Sequence, residues 1–393
     1  MSEKAIVLGG AHGGLAVTKS LQRQSIKVLV LTHLPHQSGL RSRHIRDWRT
    51  CPSPSDEQAF LAYLEALAPD WSGAVVFPTS DAFAEALSKN KERLSRNFIP
   101  AVADWNQAQV FLEKDATYRL ADKMGIPHPK FVQPRSEAEF EEILPKLEMP
   151  VMVKPVHSHS FSAKFGTKLF ICETEEDLRT NFARAVAEDE DVVICEVIPG
   201  GDYRNLETVQ LYFDRNGEVS AAFCCIKLRQ MPPLYGVIRA GVSMPPSSEL
   251  IELGTRLVRG IDYRGYASVE FKRDPRDGIL KLIEVNIRPL QMSQLPIAAG
   301  VDFPYITFQD LARDVQVKID SYNTDMNYTE VGADIAGFLF LDKEKNVRRF
   351  LEPYLKRHRT HPYFDLTDPM PFLIDAWTRG KKQIFKEDRD EHP

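Results

Sequence analysis

Two carboxylates, an amide and an arginine stand close together in "SVEFKRDPRDGILKLIEVNIRP", residues 268–289. Side chains alternate along a strand, so Glu284, Asn286 and Arg288 share one face while Val285 and Ile287 face a core. On the preceding strand Glu270 and Lys272 share a face, and Val269 and Phe271 share the other. The Asp277–Gly278 turn folds the two strands together, which allows Glu270 and Glu284 to lie side by side. Two carboxylates and an amide oxygen are hard ligands of the kind that hold Mg²⁺ together with substrate phosphates. Taken alone, the hairpin is open to another reading, a solvated strand face with salt bridges from Glu270 to Lys272 or Arg288.

Phosphate chemistry needs cations as well. "PVMVKPV" (150–156) places Lys154 on a short apolar strand, as a snorkelling edge residue or a phosphate contact. "VVICEVIPGGD" (192–202) is a strand that ends in a glycine turn. Its last residues, Glu196, Val197 and Ile198, offer a carboxylate and backbone groups to an adenine edge, and Asp202 can reach a ribose hydroxyl.

The elements that must position these residues follow from periodicity. "AIVLGGAHGGLAVTKSLQ" (5–22) reads as a buried strand, a glycine turn and a helix. Further strands at 27–32 and 74–81 alternate with helices, the mark of a doubly wound parallel unit over about residues 1–110. Beyond it the texture changes to α+β, with hairpins around Asn216–Gly217 and Asp277–Gly278. A helix near 304–315, a strand near 335–341 and a basic, aromatic-rich tail complete the chain.

The glycine turn does not keep the G-x-G-x-x-G spacing of a dinucleotide site, and the second strand ends in Thr32-His33 with no acid for a ribose. This argues against a nicotinamide or flavin oxidoreductase. The turn instead presents Gly10, Ala11 and His12 at a helix N-terminus, which suits a substrate anion. Thr79, Ser80 and Asp81 end the third strand at the edge where α/β ligand sites form. Arg43, one of four arginines in "GLRSRHIRDWRTCPSP" (39–54), and Arg239, in "YGVIRAGVS" (235–243), can clamp a substrate carboxylate or serve in structural salt bridges.

Composition narrows the class. The chain has 393 residues, 43% hydrophobic and 27% charged, with a formal net charge of −5, so no general attraction to nucleic acid or anionic membrane is implied. No apolar run approaches a bilayer span and no signal-peptide layout opens the chain, so a cytoplasmic protein is expected. Cys51, Cys172, Cys195, Cys224 and Cys225 are odd in number and lack a C-x-x-C, and read as buried reduced thiols. His157 and His159 have no third ligand and read as loop residues.

Residues 111 to 290 carry, in order, a pattern that resembles the ATP-grasp superfamily. "EKDATYRLADKMGIPHPKF" is similar to its leading helix, "VMVKP" to its phosphate strand, "CEVIPGGD" to its adenine hinge, and "VEFKRD…LIEVNIRP" to its metal hairpin. The resemblance implies ATP and Mg²⁺ (or Mn²⁺) held between two α+β lobes. Lys114 and Lys154 would contact phosphates, Glu196, Val197 and Ile198 the adenine, and Asp202 the ribose. Glu270, Glu284 and Asn286 would hold the metal, and Arg288 would steady the γ-phosphate and an acyl phosphate. The lid "HSHSFSAKFGTK" departs from the family's glycine-rich form, with serines and Lys164 as its donors.

The implied architecture is a Rossmann-like domain (1–110), an ATP-grasp domain (111–320, lid lobe about 128–195) and a C-terminal extension (321–393) that packs on it. Within the superfamily the layout resembles the carboxylate–amine ligases of the D-aspartate ligase and carbamoyl-phosphate-synthase-like group. That implies activation of a carboxylate as an acyl phosphate and its transfer to an amine, with Lys154, Arg239 and Arg288 at the reaction centre. The substrates would be small molecules, neither nucleic acid nor membrane would be a partner, and a homodimer is a further implication. Other ATP-grasp carboxylation or phosphorylation chemistry, and a non-catalytic ATP-binding regulator, are the rivals.

Overall fold

The computed structural model describes residues 3–156, 161, 164–201, 203–204, 206–233, 235–342 and 344–379. Its first sheet is parallel and follows from three apolar runs. β1 (Lys4–Leu8), β2 (Lys27–Thr32) and β4 (Val75–Pro78) are almost wholly buried, as strands covered on both faces must be. With β3 (Trp48–Thr50) and β5 (Ile99–Pro100) the order is β3-β2-β1-β4-β5. The chain therefore leaves β1 to one side for β2 and to the other for β4. Such a reversal opens a crevice beyond the carboxyl ends of the two central strands. Leu8 and Pro78 are register partners there, so the turn 9–14 and the segment Thr79–Asp81 emerge side by side.

The second sheet has four strands in the order β6-β9-β7-β8: β6 (Phe131–Val132), β7 (Val151–Pro155), β8 (Phe170–Cys172) and β9 (Val192–Glu196). Helices Glu137–Ile143 and Glu175–Ala187 pack over it, with Phe140 and Phe182 stacked 4.1 Å apart.

The third sheet is the largest, in the order β14-β13-β10-β11-β12-β15-β16. It is built from β10 (Leu206–Phe213), β11 (Val219–Met231), β12 (Val237–Ser243), β13 (Gly265–Arg273), β14 (Leu280–Asn286), β15 (Asn327–Thr329) and β16 (Arg359–Thr360). Val209, Leu211, Val269, Phe271, Leu282 and Val285 form one apolar face. Helices Trp105–Leu112, Lys114–Met124 and Ser248–Arg259 cover it. The opposite face carries the charges.

A bulge makes that division work. Glu270 pairs with Glu284, but the next residue, Phe271, pairs with Leu282, so Ile283 is an extra residue in β14. Strict alternation would put Leu282 on the face of Glu284. The bulge resets the parity, so Leu280 and Leu282 join Val285 and Ile287 in the core and Glu284 still faces Glu270.

One expected element is different. Residues 335–341 are helical, not a strand: helix Val331–Ala336 runs on into a wider turn, Gly337–Leu341. The apolar run suggested a strand, but Glu330 caps the helix by accepting from Ala333 N at 2.6 Å. Asp334 then anchors the helix to two buried arginines of β11 and β12. All five cysteines are buried and unpaired with one another. No helix among the described residues is long and apolar enough to cross a membrane.

Candidate active site

The hairpin face is the floor of the site. Glu270 is 4% exposed and lies opposite Glu284, with Ser268 opposite Asn286. Asn286 Nδ2 donates to Glu284 Oε1 at 3.0 Å, and Lys227 Nζ on β11 donates to Glu270 Oε2 at 2.6 Å. Burial raises the Glu270 carboxyl against the pull of Lys227, and the neighbouring Glu284 charge adds to the rise. Burial would raise Glu284 too, but Lys227, the Asn286 amide, Lys168 and Lys114 together hold it below the usual carboxylate range. Two carboxylates thus face each other in a desolvated place, where their mutual repulsion has a natural remedy in a divalent cation. The donor set of Glu270, Glu284 and Asn286 fits magnesium.

Two lysines stand over this pair. Lys114 opens helix Lys114–Met124, and together with Asp81, Tyr118, Glu284 and Asn286 it lines a crevice of about 40 Å³. Burial lowers its ammonium, an effect opposed by Glu284 and reinforced by Lys154. Lys154, on β7, is buried, and its Nζ lies 3.3 Å from the Tyr118 hydroxyl. Tyr118 in turn donates to Ile283 O at 3.0 Å, the carbonyl of the bulge residue. Burial pushes the Tyr118 phenol up to about 12, so it is neutral at physiological pH. The phenol thereby ties β7 to the β13–β14 hairpin.

Arg288 reaches across to the first sheet. Its Nε and Nη2 bind Asp81 Oδ1 and Oδ2 at 2.6 and 3.0 Å, a bidentate pair. Burial opposes ionisation of Asp81, but the Arg288 charge and hydrogen bonds bring its carboxyl below the usual range. The glycine turn sits against the same segment. A Cβ on Gly13 would meet Leu290 O at 3.1 Å and Pro289 O at 3.3 Å, so glycine permits the close approach.

Other expected residues have different duties. Thr79 Oγ1 donates to Leu8 O at 2.6 Å, and Ser80 Oγ caps helix Asp81–Lys89 by accepting from Phe83 N at 3.3 Å. Of this trio only Asp81 is turned toward the charged face. Gly10 N donates to Gln37 Oε1 at 2.6 Å, so that amide is already engaged. Ala11 is the N-cap of helix His12–Arg23. His12 faces the C-terminal segment, stacked on Tyr363 at 3.9 Å, with Nε2 3.8 Å from Glu330 Oε1.

Two arginines are held by structural contacts, one of the two duties the sequence allowed them. Arg43 is exposed and spends its bonds on the tail: its backbone N donates to Asp368 Oδ1 and its Nη2 to Thr367 Oγ1, each at 3.1 Å. Arg239 is 1% exposed and pairs with Asp342 and Asp334. Both lie where the chain places the tail against earlier elements, which strand spacing could not reveal.

The hinge is tied down by charge. Glu196 binds Arg276, lies 3.9 Å from Lys281, and accepts from Lys130 N at 3.1 Å. Val197 is half-buried, and Ile198 O accepts from Lys272 Nζ at 2.7 Å. Lys164 is exposed and engages Glu188 O and Glu190. Asp202, His157 and His159 lie outside the described residues. Sequence reasoning missed Tyr118, Lys168 and Lys227. Lys168, the last residue of the stretch "HSHSFSAKFGTK", acts on Asp81, Glu270 and Glu284 through its charge. Lys227 carries no motif signal, because only the register of β11 brings it to Glu270.

No family model matches the chain. It is 26% identical over 292 residues to D-aspartate ligase of Enterococcus faecium (strain Aus0004), spanning 71% of this chain and 69% of that protein. Among solved structures it resembles an ADP complex of N5-carboxyaminoimidazole ribonucleotide synthetase, with a TM-score of 0.67 and 14% identity over 86% of this chain and 84% of that one. It also resembles the biotin carboxylase domain dimer of Hydrogenobacter thermophilus 2-oxoglutarate carboxylase, in complex with MgADP, ADP and bicarbonate. There the TM-score is 0.66, with 16% identity over 83% of this chain and 73% of that one. The chain has the ATP-grasp fold and is related to ATP-grasp carboxylate–amine ligases.

Proposed function

We propose that this chain is a magnesium- and ATP-dependent ligase that joins a carboxylate to an amine, with an amino acid or peptide-like molecule among its substrates. The observation that carries the reading is the Glu270–Glu284 pair with Asn286, set beneath Lys114 and Lys154 and beside the Arg288–Asp81 bridge. A binding-only protein has no need of paired buried carboxylates within reach of three cations. The amino-acid preference rests on the D-aspartate ligase relative.

Phosphoryl transfer asks a protein mainly for position and charge. A substrate carboxylate oxygen attacks the γ-phosphorus, the bond to the β–γ bridging oxygen breaks, and ADP leaves. The amine nitrogen then attacks the acyl carbon, phosphate departs with the C–O bond, and the nitrogen loses a proton to solvent. Lys114 and Lys154 hold the phosphates, and the neutral Tyr118 keeps Lys154 in place. Arg288, oriented by Asp81, neutralises charge on the transferred group. Glu270, Glu284 and Asn286 would hold Mg²⁺, which supplies neutralisation of the phosphate oxygens. Glu196, Val197 and Ile198 would line the adenine, and Asp202 the ribose.

We divide the chain into a Rossmann-like first unit (1–110), an ATP-grasp unit (111–320) and a C-terminal extension (321–393). Cytoplasmic location fits the substrates. A homodimer fits the exposed apolar side chains of the extension, among them Phe340, Leu355, Leu366 and Trp377. Light scattering of the full chain should show twice the monomer mass, and a Leu355→Lys variant should shift it toward monomer. The test of the reaction is a phosphate-release screen of acids against amines with Mg-ATP, followed by mass spectrometry of the products. Turnover that needs an acid but no amine would favour carboxylation or simple phosphorylation. No turnover with any pair would favour a regulator.

A further inference from the structure

A cavity of about 610 Å³ lies between the first sheet and the charged face of the third, away from the phosphate-facing residues. Phe77 of β4 and Ile99 of β5 form one wall, and Gln210, Tyr266, Pro289 and Phe303 form the other. None of Lys114, Lys154, Glu270, Glu284, Asn286 or Arg288 lines it. Its volume falls within the usual range for small-molecule sites, and its composition is the usual one, mostly apolar with a few fixed polar groups.

One of those polar groups needs a partner. Gln210 is 1% exposed, and its Oε1 accepts from the Tyr266 hydroxyl at 2.8 Å. Its Nε2 is buried without a hydrogen bond. Leaving such a donor unmade is costly, of order 1–3 kcal/mol, so a buried one on a residue that lines a cavity points to a missing acceptor. Exchanging the amide nitrogen and oxygen does not remove the need, because a tyrosine hydroxyl can donate or accept, and one amide atom still lacks a partner. A ligand edge that offers an acceptor and a donor side by side satisfies both orientations.

We propose that this cavity is a second ligand site, separate from the nucleotide pocket. It takes a small planar molecule, mostly apolar, with a carboxamide-like or lactam-like edge on Gln210. The apolar walls take its ring. Lys91 and Arg215 at the lining are already paired, with Asp104 and with Asp310 and Asp314. The site also adjoins the machinery. Pro289 follows Arg288 directly, and Tyr266 lies close enough for the Arg288 charge to act on its phenol. An occupant would therefore touch the segment that carries Arg288 without touching the reacting groups.

The test uses the full chain with benzamide and 2-pyridone as probes, by saturation-transfer NMR titration with and without saturating MgADP. Saturable binding of either probe, unchanged by MgADP, is the expected result. Gln210→Leu should weaken it at least tenfold, and Ala101→Trp, which fills the cavity from the first sheet, should abolish it with an unchanged circular dichroism spectrum. Absence of binding by both probes overturns the proposal, as does displacement by MgADP. Binding that survives Ala101→Trp at full strength also overturns it, whether or not Gln210→Leu folds.

Discussion

The third sheet buries charge at two places on one face, and the two are built on opposite plans. At β11–β12, Arg229 binds Asp334 through two bonds, at 2.8 and 2.7 Å, while Arg239 takes Asp342 and approaches Asp334 at 3.8 Å. Tyr354 completes that cluster with a bond to Asp334 at 2.9 Å. Cations and anions balance, and the extension seals them. At β13–β14, two carboxylates share one direct lysine, the charges of Lys168 and Lys114 also act on Glu284, and Lys114, Glu284 and Asn286 line a crevice. The first plan fixes a segment of chain in place. The second turns its charges toward a crevice, the arrangement that the proposed phosphoryl transfer would use.

The comparison is broken most directly at Glu284. Glu284→Gln should lower ADP release by about 10²–10³-fold, since an interaction made with the transferring group is lost. The thermal midpoint should hold or rise, because one of two repelling carboxylates is gone. A Glu284→Gln protein with full turnover would end the metal assignment. Arg239→Met should do the reverse. Removing one member of a buried charge cluster leaves Asp342 unpaired and should cost about 3 kcal/mol in a urea titration. Turnover per folded molecule should stay within a factor of about two of the wild type, judged by active-site titration.

The bridge between the sheets gives a finer test. Arg288→Lys keeps the charge but loses the two-pronged geometry, and kcat/KM should fall about 10–100-fold. Asp81→Asn should fall less, and the double variant should be no worse than Arg288→Lys alone. Additive losses would show that Asp81 does not orient Arg288.

The smallest expected effect is on pH. Burial holds His361 below the usual histidine range, and burial followed by the Lys19 charge does the same for His44. A proton therefore binds the unfolded chain more readily than the folded one. The stability these groups contribute is present above a pKa of about 6.5 and is lost as pH falls through their lowered folded values. The thermal midpoint should drop between pH 7 and 5, and His361→Gln should make that drop shallower. The Glu270–Glu284 region should still be ordered at pH 5 by amide exchange.

Much of the site was legible because it depends on local order. The alternation of Glu284, Asn286 and Arg288 with Val285 and Ile287 needs only a strand, and the Asp277–Gly278 turn sets its partner. Lys114 and Lys154 are placed by a helix start and a buried strand. The strand–turn–helix of residues 5–22 is equally local, whereas the close approach of Pro289 and Leu290 to Gly13 is set by the fold. The illegible parts all involve distant segments. The run at 335–341 reads as a strand by its apolar content, but a cap at Glu330 and the Asp334 anchor make it helical. Arg43 and Arg239 look like clamps until the extension reaches them.

The sequence by itself determined which residues share a face, where the chain turns, and that two carboxylates, an amide and an arginine lie together on one hairpin. These are consequences of the two-residue strand period and of turn chemistry, which operate over a few residues. Only the tertiary structure decided who answers them. The bulge at Ile283 and its bond from Tyr118, the reach of Lys227 across the intervening strand β10, and the pairing of Arg288 with Asp81 all join residues far apart in the chain. Their partners are set by sheet register and by packing between sheets, and neither is written in any one stretch of residues.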